Sequence, residues 1–168
     1  EMQQLFFGQR FPNVAVCQDG SVLATWGNDG VVARRSEDGG AHWSEPTLIM
    51  EGGFQGGGLT VDRVSGDVIA FIEEGHPPAP IHLFRSQDHG QSWQRQGTEM
   101  LPNSKGHLPS MHMNEHGITL QVGAYAGRLI RPSRWYAAGN RREEWPHHYT
   151  NALFSDDRGK RWQASEPF

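Results

Sequence analysis

The chain has 168 residues, enough for one domain with a substantial core. Its 15 basic and 19 acidic side chains give a formal net charge of −4 and are mixed along the sequence, so no basic patch marks a nucleic-acid partner. Glycine (21) and proline (10) favour a turn-rich fold over helices, and nothing approaches the ~20 consecutive apolar residues of a membrane span.

In chain order, short apolar runs each end at a turn signal. Residues 13–17, NVAVC, end at Asp19-Gly20 and are followed at once by 21–26, SVLATW, which predicts a strand, a tight turn and a second strand. Residues 30–35, GVVARR, predict a third strand. A second unit copies the plan with GLTVD (58–62), a turn through Ser65-Gly66, DVIAFI (67–72) and PIHLFR (80–85). A third runs from GITLQV (117–122) through GRLI (127–130) to NALF (151–154). Segments 97–117 and 131–150 read as irregular and are rich in Pro, Gly, His and Arg. Both exceed the roughly 12–15 residues beyond which a connection in a compact domain is functional or disordered. No amphipathic helix of ten or more residues is predicted. The single cysteine, Cys17, excludes an intrachain disulfide and reads as a small buried residue in a strand. The first residues, EMQQLFFGQR, lack the basic-then-apolar pattern of a signal peptide.

The third strand of each unit leads into the same frame. Ser36, Asp38, Gly40 and Trp43 recur as Ser86, Asp88, Gly90 and Trp93, and again as Ser155, Asp157, Gly159 and Trp162. A carboxylate beside a hydroxyl suggests catalysis, but an active site is built once, whereas a folding unit is built many times. Lying between two strands, the frame occupies a hairpin. Its glycine supplies a positive φ, its Asp and Ser side chains accept hydrogen bonds from turn N–H groups, and its tryptophan packs between sheets. The frame serines lie 50 and 69 residues apart, in keeping with the ~40–50 residues of a four-stranded β-propeller blade once the long irregular segments are allowed for. The expected fold is all-β, with three blades at approximately 10–50, 51–100 and 101–168. Six tryptophans suit such a core or a sugar-binding cleft.

The frame resembles the S-x-D-x-G-x-T-W Asp-box (BNR) repeat of sialidases and related propellers, with His42, Ser92 and Arg161 in place of the threonine. Other stretches resemble the same family in the same order. Gln9-Arg10-Phe11-Pro12 is similar to its F-R-I-P, Asp19-Gly20-Ser21-Val22-Leu23-Ala24 to its DG-T-L-L-A, and Arg34-Arg35-Ser36 to its RRS. Thr60-Val61-Asp62 with Ser65-Gly66-Asp67-Val68 is similar to V-V-D…T-G-x-I, and His116-Gly117-Ile118 with 127–132, GRLIRP, to HGI…GRLVVP. The resemblance implies a six-bladed parent in which three arginines clamp the substrate carboxylate, a tyrosine–glutamate pair supplies the nucleophile and an aspartate in an N-terminal loop is the acid/base. That scheme departs from the paired-carboxylate glycosidases. Arg10 would be the first clamp arginine, suited by its planar, permanently charged fork. Asp29 would be the acid/base, although Asn28-Asp29-Gly30 is equally a hairpin turn and lacks the arginine the family carries there. The resemblance puts the nucleophile and the remaining clamp arginines beyond the third box. A fragment, a subunit completed by a second chain, and a module pairing with another copy of itself all stay open.

Histidines point to a second chemistry. His76 follows the second strand of the second unit, His107, His112 and His116 crowd the next segment, and His147-His148-Tyr149 precede the last box. Certain propeller polysaccharide lyases and rhamnosidases resemble such a site, with histidine as general base and arginine neutralising a uronate. Arg128, Arg131, Arg134, Arg141 and Arg142, with Trp135, Tyr136 and Trp145, read either as a stretch receiving an anionic sugar or as solvated loop residues. No cofactor is expected and no metal site is assigned, because the four-residue spacing of His112 and His116 serves a metal only on a helix, which Asn114 and Gly117 oppose. Function is expected to be exo-hydrolysis of a terminal acidic sugar, sialic acid foremost. Asp29, His76 and His107 are the catalytic candidates, and Arg10, Arg128, Arg131 and Trp135 the substrate-binding ones. The alternatives are a His/Arg lyase or hydrolase on uronate-containing glycans and a non-catalytic glycan-binding propeller. The expected partner is an acidic glycan, and the resemblance implies an extracellular or periplasmic location.

Overall fold

The computed structural model describes residues 2–110 and 115–168. Its first sheet is an antiparallel meander of β1 (Asn13–Val16), β2 (Val22–Trp26), β3 (Val31–Ser36) and β4 (Thr47–Met50). The second repeats it with β5 (Leu59–Val61), β6 (Val68–Glu73), β7 (Ile81–Ser86) and β8 (Gln94–Gln96). In the third, β10 (Ile118–Thr119), β11 (Leu129–Trp135), β12 (Tyr149–Ser155) and β13 (Arg161–Ala164) form the meander. A fifth strand, β9 (Glu99–Leu101), lies parallel to β13 at its outer edge. The register repeats with the sequence: Ser36 faces Val22, Ser86 faces Val68 and Ser155 faces Leu129. These are three blades of an unclosed β-propeller.

Burial explains the stacking. Every residue of β6 is buried, which is why its first five residues, VIAFI, read as a continuous apolar run rather than an alternation. Its side chains point alternately to two interfaces. Val68, Ala70 and Ile72 pack with Leu23, Val31, Ala33 and Ile49 of the first blade, whereas Ile69 and Phe71 pack with Leu129, Leu153 and Trp162 of the third. Trp162, fully buried, meets the Phe71 ring edge-on at 5.0 Å. At roughly 1.5–3 kcal/mol for each fully buried large apolar side chain, these two layers outweigh the surface ion pairs, whose individual contributions are at most about 1 kcal/mol.

Two segments expected to be irregular contain strands. β9 lies within 97–117, and β11 runs on through Pro132 to Trp135. Proline is tolerated because β10 pairs with β11 only at Leu129 and Ile130, so the missing N–H of Pro132 falls beyond the inner neighbour's end. Two residues on, Arg134 exchanges both backbone hydrogen bonds with Ser110. The β11–β12 connection is thereby cut to residues 136–148, which hold two short 3-10 turns, Ala137–Asn140 and Arg142–His147.

Each box is a self-bonded turn. The serine hydroxyl donates to the aspartate (2.8, 2.7 and 2.9 Å) and accepts the glycine N–H (2.8, 2.7 and 2.7 Å) in boxes one, two and three. The same aspartate oxygen accepts the N–H of His42, Ser92 or Arg161. The residue preceding the serine ties blades together. Arg35 Nε donates to the His89 carbonyl at 3.1 Å, and Arg85 donates to the Arg158 carbonyl. Both acceptors occupy the fourth position of the next blade's box, where φ is positive (58° and 61°).

Candidate functional site

A meander places alternate connections at opposite ends of its sheet. The boxes, which join β3–β4, β7–β8 and β12–β13, therefore share one face. The opposite rim carries residues 27–30, 74–80 and 136–148, together with the segments that lead into the innermost strands β1, β5 and β10. The candidates divide between these two ends.

On the rim at the first blade, Gly27 N–H donates to the Arg10 carbonyl at 3.1 Å and Asn28 N–H to Gln9 Oε1 at 3.3 Å. These bonds bring the Arg10 segment against the turn holding Asp29. Both side chains are exposed, and the Arg10 guanidinium lies over the Phe11 ring at 4.8 Å. Beside them Gln55 is buried, donating 2.7 Å to Thr25 Oγ1 while its Oε1 has no hydrogen-bond partner.

Across the second and third blades the rim becomes a histidine–aromatic surface. His107 stacks flat on Trp135 with centroids 3.8 Å apart and rings within 4°. Its Nδ1 lies 2.7 Å from the Tyr149 hydroxyl, which also accepts from Asn103 Nδ2 at 2.8 Å. The register makes this possible, since Trp135 and Tyr149 are directly opposed at the ends of β11 and β12. Nearby, a cavity of about 420 Å³ is lined by His76, Arg134, Tyr136, Trp145, His148 and Tyr149 among others. Asn140 Nδ2 lies 3.0 Å from His76 Nδ1, Arg134 donates to the Tyr136 hydroxyl at 3.3 Å, and the Tyr136 and His148 rings meet at 4.7 Å. An imidazole against a phenol, flat aromatic faces and a guanidinium suit a sugar ring bearing a carboxylate.

Three expected substrate-binding residues share β11 or its approach but do not meet. Arg128 lies at the box end, bidentate to Asp156 at 2.8 Å and stacked on Tyr125 and Phe154. Arg131, 1% exposed, sits between blades over Phe71 and donates to the Gly57 and Glu115 carbonyls. Burial pulls its pKa down to about 9, partly offset by the nearby Glu73 and Glu115. Trp135 alone reaches the rim. Next to Arg131, buried Glu73 accepts from Ser110 Oγ at 2.7 Å. Asn103, Asn140, Ser110 and Gln55 belong to no recognisable motif, and only the fold reveals them. His112 lies outside the described residues, so its pairing with His116 has no structural reading.

A cavity of about 710 Å³ lies on the box face between the second and third blades. Its Asp67, Arg85 and Asp88 are already engaged in turn and inter-blade bonds. Among the described residues, one grouping has metal-ligand character, Cys17, Asp19 and His89, and it too lies on the box face.

Residues 84–95 match the BNR/Asp-box repeat family. The chain is 27% identical over 195 residues to a curated sialidase of Micromonospora viridifaciens, covering 96% of this chain and 29% of that protein. The chain is thus similar to sialidases and carries their BNR/Asp-box repeat. The Hadza microbial sialidase Hz136 has the same fold with a TM-score of 0.68 and 18% identity, over 95% of this chain and 37% of that one. A PL25 ulvan lyase also shares the fold at a TM-score of 0.55 and 13% identity, over 96% of this chain and 42% of that one. The chain thus spans less than half the length of each of these relatives. No helix among its described residues is long and apolar enough to cross a membrane.

Proposed function

We propose that this chain forms the rim of a sialidase-type exo-glycosidase that removes a terminal acidic sugar, sialic acid foremost, from extracellular or periplasmic glycoconjugates. Arg10 holds the sugar carboxylate and Asp29 is the acid/base. The observation that carries the reading is the pair of hydrogen bonds joining the Gln9-Arg10 segment to the 27–30 turn, which supports Arg10 and Asp29 acting on one substrate. Bound there, the glycan's next residues would extend toward Trp135 and His107. The test is turnover of a fluorogenic α-sialoside by the whole protein. Loss of a charge-binding group in an active site costs on the order of 10²–10³ in rate, and Arg10→Ala is expected to lose at least that much. Unimpaired turnover in Arg10→Ala would overturn the assignment.

A second reading, a lyase acting on uronate-containing glycans, is favoured by one specific contact, His107 Nδ1 at 2.7 Å from the Tyr149 hydroxyl. A neutral imidazole can remove the proton α to the uronate carboxylate, a phenol can protonate the departing oxygen, and Arg134 can neutralise the carboxylate. The product would be an unsaturated uronate with its own ultraviolet absorbance. Its appearance, with sialosides untouched, would select this reading over the first.

A further inference from the structure

The box face carries a donor set that neither the boxes nor the rim uses. Cys17 follows β1, Asp19 lies two residues on in the β1–β2 turn, and His89 is the fourth residue of the next blade's box. The Cys17 sulfur, an Asp19 carboxylate oxygen and a His89 ring nitrogen all lie within 4.8 Å of one another. Proximity alone would carry little, but each donor is also held in place, and the Cys17 thiol and the His89 ring nitrogen are incompletely used. Cys17 is 2% exposed, and its thiol makes a long 3.8 Å contact with the His89 carbonyl. His89 Nδ1 is buried with no hydrogen-bond partner, 4.0 Å from Asp19 Oδ1. Its backbone is fixed by a left-handed φ of 58° and by the Arg35 Nε bond to its carbonyl. A buried ring nitrogen without a partner costs about 1–3 kcal/mol, so this geometry calls for something to fill it. Asp19 Oδ1 accepts from the Ser21 N–H (2.9 Å) and hydroxyl (2.6 Å), while Oδ2 accepts from Arg35 Nη2 at 2.8 Å.

We propose that Cys17, Asp19 and His89 bind a zinc-class divalent cation that pins the first blade to the second, with solvent in the fourth position. Thiolate, imidazole and carboxylate together select a borderline-soft tetrahedral ion over calcium or magnesium, which take oxygen ligands. With metal–ligand distances of about 2.0–2.3 Å, tetrahedral ligand atoms stand about 3.3–3.8 Å apart. The donors therefore close by about 1 Å on loading, a movement the exposed β1–β2 turn can supply. The charges balance: the Cys17 S–H bond breaks, its proton leaves to solvent as the sulfur–metal bond forms, and thiolate plus carboxylate neutralise the dication. Arg35 keeps its bond to Oδ2 and becomes the outer-shell partner that orients the ligating carboxylate. The ion would join residues 17–19 to residue 89 and stabilise the folded chain by mass action.

Because Cys17 is the chain's single cysteine, cobalt makes the test decisive. Chelator-stripped protein is titrated with Co²⁺ and then with Zn²⁺, following absorbance and melting temperature. One equivalent of Co²⁺ is expected to produce a thiolate-to-cobalt charge-transfer band with intense tetrahedral visible bands, discharged by Zn²⁺. Zn²⁺ should raise the melting temperature and Ca²⁺ should not. Cys17→Ser should abolish the charge-transfer band, and His89→Gln, at a partly exposed side chain, should weaken Co²⁺ binding at least tenfold while leaving the metal-free melting temperature near that of the parent. Absence of the band in the parent protein, or unchanged Co²⁺ affinity in His89→Gln, would overturn the proposal even if Cys17→Ser fails to fold.

Discussion

At the scale of single residues, the boxes show how one structural role is filled by three chemistries. The second aspartate oxygen receives His42 Nδ1 at 2.7 Å, Ser92 Oγ at 2.5 Å or Arg161 Nε at 2.9 Å. The position demands a donor of suitable reach, and threonine is only one way to provide it. All three carboxyls lie below the usual aspartate range. The hydrogen bond from the His42 N–H is the main cause for Asp38. For Asp88 and Asp157, burial pushes upward but is outweighed by the side-chain and backbone bonds from Ser92 and Arg161. A carboxyl depressed in the folded state contributes stability that is complete above its unfolded value of about 3.9 and is lost as pH falls through the lower folded value. The urea midpoint is therefore expected to be flat from pH 7 to about 5 and to drop below about 4. Asp88→Asn should lower the neutral-pH midpoint and flatten the acid limb. An unchanged acid limb in Asp88→Asn would remove this carboxyl from the account.

At the scale of elements, the recurring device is the arginine before the first two box serines. Arg85 pairs with Asp67 at 2.6 Å and reaches the next box's backbone, and both side chains are largely buried, at 15% and 14% exposure. Arg85→Ala leaves that carboxylate and a carbonyl short of a donor, at about 1–3 kcal/mol for the buried group left unpaired. Breaking the exposed Arg141–Glu144 pair at 3.5 Å should cost under about 0.5 kcal/mol. Urea unfolding of both variants measures the contrast, and equal small losses would mean the inter-blade bond carries no weight. The third blade inverts the device, with Phe154 in the arginine's place and Arg128 stacked on it at 4.4 Å while pairing with Asp156. Closeness in the chain groups Arg128 with Arg131 and Trp135, but the strand pulls them apart. Seven strand residues at about 3.3 Å each separate Arg128 from Trp135 by roughly 23 Å, and alternation buries Arg131 between them. The boxes are legible in the sequence because a turn has a fixed internal spacing. β11 is not, because Pro132 and its arginines mask the apolar pattern, and β9 is not, because three polar-flanked residues at a sheet edge carry no periodicity.

At the scale of the whole molecule, the proposed rim site would separate recognition from the box face that holds the blades together, and this separation is itself testable. Gly90 has a φ of 89°, and a Cβ there would lie 2.3 Å from Leu23 Cδ2 across the first inter-blade interface. Leu23 is fully buried and has little room to yield, so Gly90→Ala should destabilise by about 1–3 kcal/mol through overpacking. The rim lies at the other end of the sheets, and its geometry rests on Trp135, Tyr149 and the 103–107 segment rather than on the boxes. The folded fraction of Gly90→Ala should therefore bind acidic glycans as the parent does. Trp135→Ala should do the reverse. Loss of a stacking face worth about 0.5–1.5 kcal/mol weakens glycan affinity about two- to thirteenfold, with a smaller effect on unfolding because the indole is partly exposed. Calorimetric titration with an acidic oligosaccharide, run beside urea unfolding, gives both numbers for each variant. If the two variants lose stability and affinity in the same proportion, recognition does not reside on the rim. Opposite patterns would locate the glycan against Trp135 and leave the box face to hold the blades together.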